Sequence, residues 1–559
     1  MSAATAHGAT ERSPAEVVAL YPAHLETVPS FLETRTRIAA ERPVLQFEPR
    51  EWTYGELQAG ARALATALAA RGMGAGDRIA HVSLNSDASV VLYLAVATLG
   101  AIFVPLNPAA TDEELGYLLH HARPRLIVAQ PADLERSARI AGGLVPAPAL
   151  MSSLELGVDC ASAAQALERI AALAGGAVWS PPLVRPDDPV VVIYTSGTTG
   201  FPKGVVHTHR SFILAAEGFV SRMHLQPEER LLTLMPFYHI NALFYSLGGA
   251  IAAGAALITG PRFSASDFWH LAARTAATQF NFLAAIGNIL INRPRSEFDP
   301  AHRVRKVYGA PISERIYRVF REEFHIPVLI EGYGMSEIPG ACAMPYAGPH
   351  KAGSLGRVAV HPRLPGELAE MRIVDDNGRE QPVGEVGEIA VRTPMMFKEY
   401  LDDPRQTAAA FRDGWFLTGD LARRDAADFF YFVARKKDII RRRGENISGV
   451  ELDRIIAEHP DVLEAAAIGV PAELGEEEIL VAIVPRPQTH PRPEDILSWC
   501  RGRLPAMKVP RFITLVDTLP HTPSHRVAKH RLKADPSVLG RAFDAELQSA
   551  RESRPPPKG

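Results

Sequence analysis

Short apolar runs alternate with amphipathic stretches along most of the first 340 residues. "RIAHVSLN" (78–85), "AIFVPLN" (101–107), "RLIVAQ" (125–130) and "PVVVIYT" (189–195) read as strands. Between them "YGELQAGARALATALAARG" (54–72) and "TDEELGYLLHHA" (111–122) carry helical periodicity. This alternation predicts a largely parallel sheet covered by helices. The rhythm continues through "RLLTLMPF" (230–237), "AALITG" (255–260), "VRKVYG" (304–309) and "PVLIEGYG" (327–334). From 366 onward, "GELAEMRIVDDNGREQPVGEVGEIAVRTP" alternates apolar and polar residues around Asp-Asn-Gly and repeated glycines, which predicts a β-meander or small barrel with tight turns. After the cationic run 435–444, the segments "SGVELDRIIAEHP", "VLEAAAIGVP", "ILVAIVP" and "RFITLVD" predict a small α+β unit. The expected organisation is a large α/β portion over 26–434, with a β-barrel part at 350–434, then a smaller mobile domain over 435–540. The tails 1–25 and 541–559 read as disordered.

Residues 88–106, "ASVVLYLAVATLGAIFVPL", hold no charge over 19 positions, which is long enough for a membrane span. Gly100 and Pro105 interrupt the run, and β-branched and aromatic residues concentrate after Gly100. A buried helix (88–99) running into a buried strand (101–104) accounts for this better. With 60 Lys and Arg against 63 Asp and Glu, no electrostatic case arises for nucleic acid or an anionic membrane as partner. Three cysteines, Cys160, Cys342 and Cys500, are too few and too far apart for a disulfide framework or Cys-rich metal site, and fit a reducing cytoplasm. The opening residues lack a cationic start followed by a long apolar core, so no signal peptide is expected.

The chemistry concentrates first in "IYTSGTTGFPKGVVHTHRS" (193–211). Glycines allow backbone N–H groups to approach an anion closely, hydroxyls add neutral donors, and Lys203 adds a mobile cation. It is not the common phosphate loop, because five residues after Gly197 stands Pro202 and Gly204 follows Lys203. Alone, such a loop could be a flexible surface turn, but the full string TSGTTGxPKG requires nine specified positions to coincide over ten residues. No Gly-x-Ser-x-Gly elbow, His-Glu-x-x-His pair or Gly-x-Gly-x-x-Gly after a strand competes with it.

At these residues the chain resembles the adenylate-forming superfamily: acyl-CoA synthetases, luciferases and peptide-synthetase adenylation domains. These enzymes join a carboxylate to AMP and release pyrophosphate. The resemblance recurs in order at "YGAPIS" (308–313), "GYGMSE" (332–337), "GWFLTGD" (414–420) and "RKKDIIRRRGENISGVELD" (435–453). It implies a role for each match. Lys203 with Thr195, Ser196, Gly197, Thr198, Thr199 and Gly200 would hold the ATP phosphates. Tyr333 would pack on adenine, with Gly309, Ala310 and Pro311 along its edge and Gly334, Met335 and Ser336 beside it. Glu337 would hold Mg²⁺, a hard cation that needs few protein oxygens. Asp420 would accept the ribose hydroxyls and Arg435 would add a contact to ribose or phosphate. Lys437 falls at the family's hinge, and the loop Gly444, Glu445, Asn446 would face a thiol acceptor, coenzyme A. The run Arg441–Arg443 reads equally as a solvated face or as a basic lip for coenzyme A phosphates.

"MPFYHINALFYSLGG" (235–249) resembles the family's acid-pocket segment. It offers His239 at the carboxylate's approach and Asn241, Phe244 and Tyr245 as substrate contacts. "FLAAIGN" (282–288) offers Phe282 as another wall, with small residues at 284, 285 and 287 hinting at space for a bulky or flat acid. The texture is closest to the carnitine/crotonobetaine-CoA ligase branch. One motif departs from the family. Where it usually ends in Gly-Lys, this chain reads "LPHTPSHRVAKHRL" (519–532), with Arg526 at the lysine position. A guanidinium keeps the charge but not the compact point donor. Arg526 could do the lysine's work, with Lys529 nearby, in an ordinary acyl-CoA ligase. It could instead mark a diazotase-type member that adenylates nitrite and passes it to an aryl amine. A third reading is a catalytically impaired nucleotide sensor. The expected substrates and cofactors are ATP, Mg²⁺, a carboxylic acid and coenzyme A; a homodimer stays open.

Overall fold

A computed structural model of the chain describes residues 11–157, 159–195, 202–364, 366, 368–442, 445–471, 477–521 and 527–547. Residues up to 371, together with 391–416, form one compact unit; 372–390 and the chain from 417 form a second.

The first unit is built on two sheets. In the seven-stranded sheet, Pro189–Thr195, Ile102–Leu106, Arg78–Val82, Leu126–Ala129 and Ala149–Ser152 run parallel. Lys203–Thr208 and Glu399–Tyr400 extend one edge antiparallel. In the nine-stranded sheet, Val328–Met335, Lys306–Ala310, Gln279–Leu283, Arg230–Thr233, Ala256–Thr259 and Pro43–Phe47 are parallel neighbours. The expected parallel α/β architecture is therefore present, with antiparallel strands only at the margins. Helix Asp87–Thr98 is buried at every residue and leads into Ile102–Leu106, which resolves the uncharged run as a core helix and strand. Among the described residues, no helix is long and apolar enough to cross a membrane.

Two expectations fail at the ends. Residues 11–25 contain helix Pro14–Ala19, closed by a Ser13–Glu16 capping box, with Val17 and Val18 buried. The few apolar residues there are spent on one face, so overall polarity hid the helix. Near the other end, Phe543–Asp544 pairs with Phe512–Leu515.

Strands Glu370–Val374, Gly387–Arg392 and Trp415–Arg424 cross from one unit to the other along the chain. In the second unit, 420–424 pairs antiparallel with Phe430–Arg435. Hairpin Ile439–Arg442/Glu445–Ser448 follows, then a four-stranded sheet of Val462–Pro471, Glu477–Pro485, Phe512–Leu515 and Phe543–Asp544. Its core gathers Leu452, Ile456, Ile479, Val481, Ile483, Ile496 and Ile513, the apolar positions of the alternating strands and the helices beside them.

Candidate active site

"GYGMSE" forms the tip of a hairpin. Strand Val328–Met335 turns through Ser336 and Glu337 into Ile338–Ala343, with Met335 opposite Ile338 and Tyr333 opposite Cys342. Distant segments pin the turn. His207 Nε2 lies 2.6 Å from the Ser336 carbonyl, and the Phe397 amide donates to the Glu337 carbonyl at 2.9 Å. The Tyr400 hydroxyl donates to Glu337 Oε1 at 2.8 Å. His207 is fully buried and burial drives its pKa down to about 4, so it stays neutral and donates to the carbonyl. Burial, then the Glu337 charge, pushes the Tyr400 phenol far up, which keeps its proton in that bond. Sequence reasoning missed both groups. Neither stands in the hairpin motif, and Tyr400 reaches it from a two-residue edge strand.

Lys203 opens the strand after the glycine-rich loop, opposite Thr195, with its Nζ 4.9 Å from the centre of the Tyr400 ring. Lys203, Tyr400 and Glu337 are thus joined through one aromatic ring. Ser196, Gly197, Thr198, Thr199 and Gly200 lie outside the described residues.

The acid-pocket segment is anchored by Asn85, whose Nδ2 donates to the Met235 carbonyl at 2.8 Å and whose Oδ1 accepts the Phe237 amide at 2.9 Å. His239 sits at the turn that follows, its ring 4.7 Å from that of Tyr238. Residues Asn241–Gly248 form a π-helix, a wide turn often found at functional sites. Asn281 Nδ2 donates to Asn241 Oδ1 at 3.0 Å and to Ser246 Oγ at 3.1 Å, linking this helix to the end of strand Gln279–Leu283. Tyr245 is 5% exposed and stacks on Phe219.

Two expected pocket walls are placed differently. Phe244 is fully covered, packing edge-on against His207 and Phe212. Phe282 is also fully covered, and the room inferred from the small residue at 287 is filled by its ring. A Cβ at Gly287 or at Gly309 would stand 2.6 Å from that ring. Phe282 therefore supports the turn beginning at Gly309 from below and has no face toward a ligand. Gly309 and Ala310 end strand Lys306–Ala310, and Pro311 starts the turn. The Ile312 amide donates to the carboxyl of Glu331, which burial pushes up to about 7. Tyr333 is 8% exposed.

In the second unit, Asp420 is buried, its amide donates to Thr418 Oγ1 at 3.1 Å, and Arg435 Nε lies 3.1 Å from its carboxylate across the strand pair. Lys437 lies in the 3₁₀ turn Lys436–Asp438. Glu445 and Asn446 open strand Glu445–Ser448, so they belong to a hairpin; Gly444 is outside the described residues. Within the cationic run Arg441 is exposed and Arg443 lies outside the described residues, but Arg442 fits neither a solvated face nor a basic lip. It is buried, 2.7 Å from Glu478, and donates to the Met507 and Val509 carbonyls at 2.9 Å. Lys529 Nζ is 2.6 Å from Asp453, a carboxyl that burial raises to about 6. That pairing directs its charge into the unit's own core. Arg526 is outside the described residues.

Among the described residues, no group of three or more His, Cys, Asp or Glu side chains could enclose a metal. A lone carboxylate at a fixed turn suits Mg²⁺, which keeps most of its waters and takes its other ligands from phosphates. Glu337 fits that demand: one of its oxygens is held by Tyr400 and its backbone by Phe397.

The family model for AMP-binding enzymes matches residues 32–401, and that for the AMP-binding enzyme C-terminal domain matches 451–526. The chain is 33% identical to the sulfoacetate–CoA ligase of Cupriavidus necator, over 86% of this chain and 92% of that protein. It is 30% identical to the crotonobetaine/carnitine–CoA ligase of Escherichia coli, over 86% and 93%. ATP-bound MatB from Rhodopseudomonas palustris superposes with a TM-score of 0.80 at 28% identity, covering 91% of this chain and 98% of that one. With both family models matched and a relative one third identical over most of both chains, the chain belongs to the AMP-binding enzymes and is an ATP-dependent adenylate-forming ligase of the acyl-CoA synthetase type.

Proposed function

We propose that the protein adenylates a small carboxylic acid and passes the acyl group to the thiol of coenzyme A. The observation that carries this is the fixed Glu337 turn, with Lys203 Nζ 4.9 Å from the centre of the Tyr400 ring that holds it. In this reading the acid's carboxylate oxygen attacks the α-phosphorus of ATP, the bond to the β-phosphate oxygen breaks, and pyrophosphate leaves. Lys203 and the 195–200 loop neutralise the departing charge, and Arg526 stabilises the charge on the α-phosphate. Glu337 would hold Mg²⁺, which would supply positive charge to offset the charge of the phosphates. Tyr333 and the 309–311 turn hold adenine, Asp420 and Arg435 hold ribose, and His239 meets the incoming carboxylate. The small domain then rotates about Lys437 and brings 444–446 to the thiol, which attacks the acyl carbon and releases AMP. Two of the relatives are ligases of sulfoacetate and of crotonobetaine or carnitine, which supports an acid that is small and carries further charge.

The test is pyrophosphate release from the full chain with ATP, Mg²⁺ and a panel of acids plus coenzyme A, run beside nitrite with aryl amines. Release with an acid and a thioester by mass spectrometry is expected, and Glu337→Ala should abolish it with the fold intact. Release only with nitrite would replace this reading with diazotisation.

A further inference from the structure

Arg222 is the penultimate residue of helix His209–Met223 and is 5% exposed. Its Nε and Nη1 have no well-formed hydrogen-bond partner, Nη2 lies 3.4 Å from the Ala215 carbonyl, and the other polar groups its side chain meets are the neutral phenols of Tyr245 and Tyr308. Other buried arginines are paired: Arg50 lies 2.6 Å from Asp87, Arg442 2.7 Å from Glu478, and Arg35 3.9 Å from Glu217. No carboxylate of the described residues stands within ion-pair distance of Arg222. Its neighbours are aromatic and neutral. The guanidinium carbon is 4.9 Å from the centre of the Tyr245 ring, 5.6 Å from Phe219 and 5.9 Å from Tyr308. Room for it exists because residue 340 is glycine. A Cβ there would stand 1.5 Å from Nη1, and the backbone has φ +75.

The position matters as much as the missing partner. Tyr245 lies on the π-helix that carries Asn241, and Tyr308 immediately precedes Gly309. Gly340 is three residues beyond Glu337 on the same hairpin, about 10 Å along an extended chain. Arg222 therefore points its charge between the acid segment and the signature hairpin. A guanidinium does not shed its proton, and cation–π contacts return less than burial of an unpaired charge costs. The described residues thus give it neutral acceptors and leave its charge without a counter-ion.

We propose that Arg222 binds a second anionic group of the acid, remote from the carboxylate that is adenylated, so that the substrate class is a short dianionic acid: a dicarboxylate or a sulfonated carboxylate. This rests on the carboxylic-acid reading above. The distal anion takes no part in bond making. It fixes the acid's far end while the other carboxylate forms the C–O–P linkage and pyrophosphate departs.

Pyrophosphate release by the full chain should be measured for malonate, succinate, glutarate and 3-sulfopropionate. Each is set against a monoanion of equal length whose distal group is an amide or a methyl. The best dianion is expected to exceed its monoanionic partner in kcat/KM by about thirtyfold or more, since a buried charge then gains its only charged partner. Which of the carboxylate or sulfonate series wins identifies the distal group. Arg222→Met, near in volume but uncharged, is expected to erase the preference while circular dichroism stays unchanged. Should that variant fail to fold, Arg222→Lys, which keeps charge without the planar fork, is expected to shrink it. Monoanions used as well as dianions by the native chain, or an unchanged preference in a folded variant, would overturn the proposal while leaving the ligase reading standing. No release with any acid would instead remove the carboxylic-acid reading itself.

Discussion

Replacing Glu331 by glutamine removes one titrating proton from the strand that leads into the signature hairpin. Burial raises the Glu331 carboxyl from an ordinary 4.5 to about 7, opposed only by the Ile312 amide. Between those two values the folded protein binds a proton that the unfolded chain has released. The contribution of the neutral carboxyl to stability is therefore fully present below pH 4.5 and is lost as pH rises through 7. The gap of about 2.5 units, at about 1.4 kcal/mol per unit, gives roughly 3 kcal/mol lost between acid and alkaline pH. Glu331 is only half-buried, so water screens part of this, and about 2 kcal/mol is the working figure. Glutamine is neutral at every pH and its carbonyl can still accept the Ile312 amide. Urea unfolding at pH 5 and pH 8.5 should show Glu331→Gln gaining about 2 kcal/mol on the native chain at the higher pH, with little difference at the lower. Parallel stability curves for the two proteins would refute the argument. So would a variant that is weaker at pH 8.5, since the carboxylate would then be favoured in the folded state.

Tyr400→Phe deletes a hydrogen bond to a charged group worth about 1.5–3 kcal/mol; pyrophosphate release is expected to fall ten- to a hundredfold and the melting temperature by a few degrees. Gly309→Ala sets a Cβ 2.6 Å from the Phe282 ring, which should cost about 1–3 kcal/mol by urea unfolding, and Phe282→Leu in the same chain should restore part of it. Arg526→Lys is expected to retain acyl-adenylate formation, read by pyrophosphate exchange. Loss of exchange would mean that the planar guanidinium is specifically required.

The strand–helix alternation was legible because each parallel strand is a short apolar run flanked by amphipathic helices; the order of the strands within each sheet was not, since it depends on which runs pair. Local composition could not show helix Pro14–Ala19, which is stabilised by one cap and two buried valines. The signature residues announced themselves as contiguous strings. What holds them did not. His207, Phe397 and Tyr400 converge on Glu337 only through the edge pairing of Val205 and Val206 with residues 399 and 400. Phe282 looked like a pocket wall because it precedes small residues. The ring instead fills the space that two glycines leave, a relation between positions 282, 287 and 309 that no single window contains. Arg222 drew no attention in a helix of mixed polarity, since only coordinates reveal that its partner is missing.

The fastening of Glu337 also sets a timetable for synthesis. The whole hairpin signature has left the ribosome by residue 343, yet two of its three fixings come from Phe397 and Tyr400. A nascent chain, or a fragment cut at 390, holds every letter of the motif and lacks the clasp that aims its carboxylate. Competence for nucleotide should therefore arrive late and abruptly during translation, and shortened versions of the large unit will need to run past residue 400 to show it.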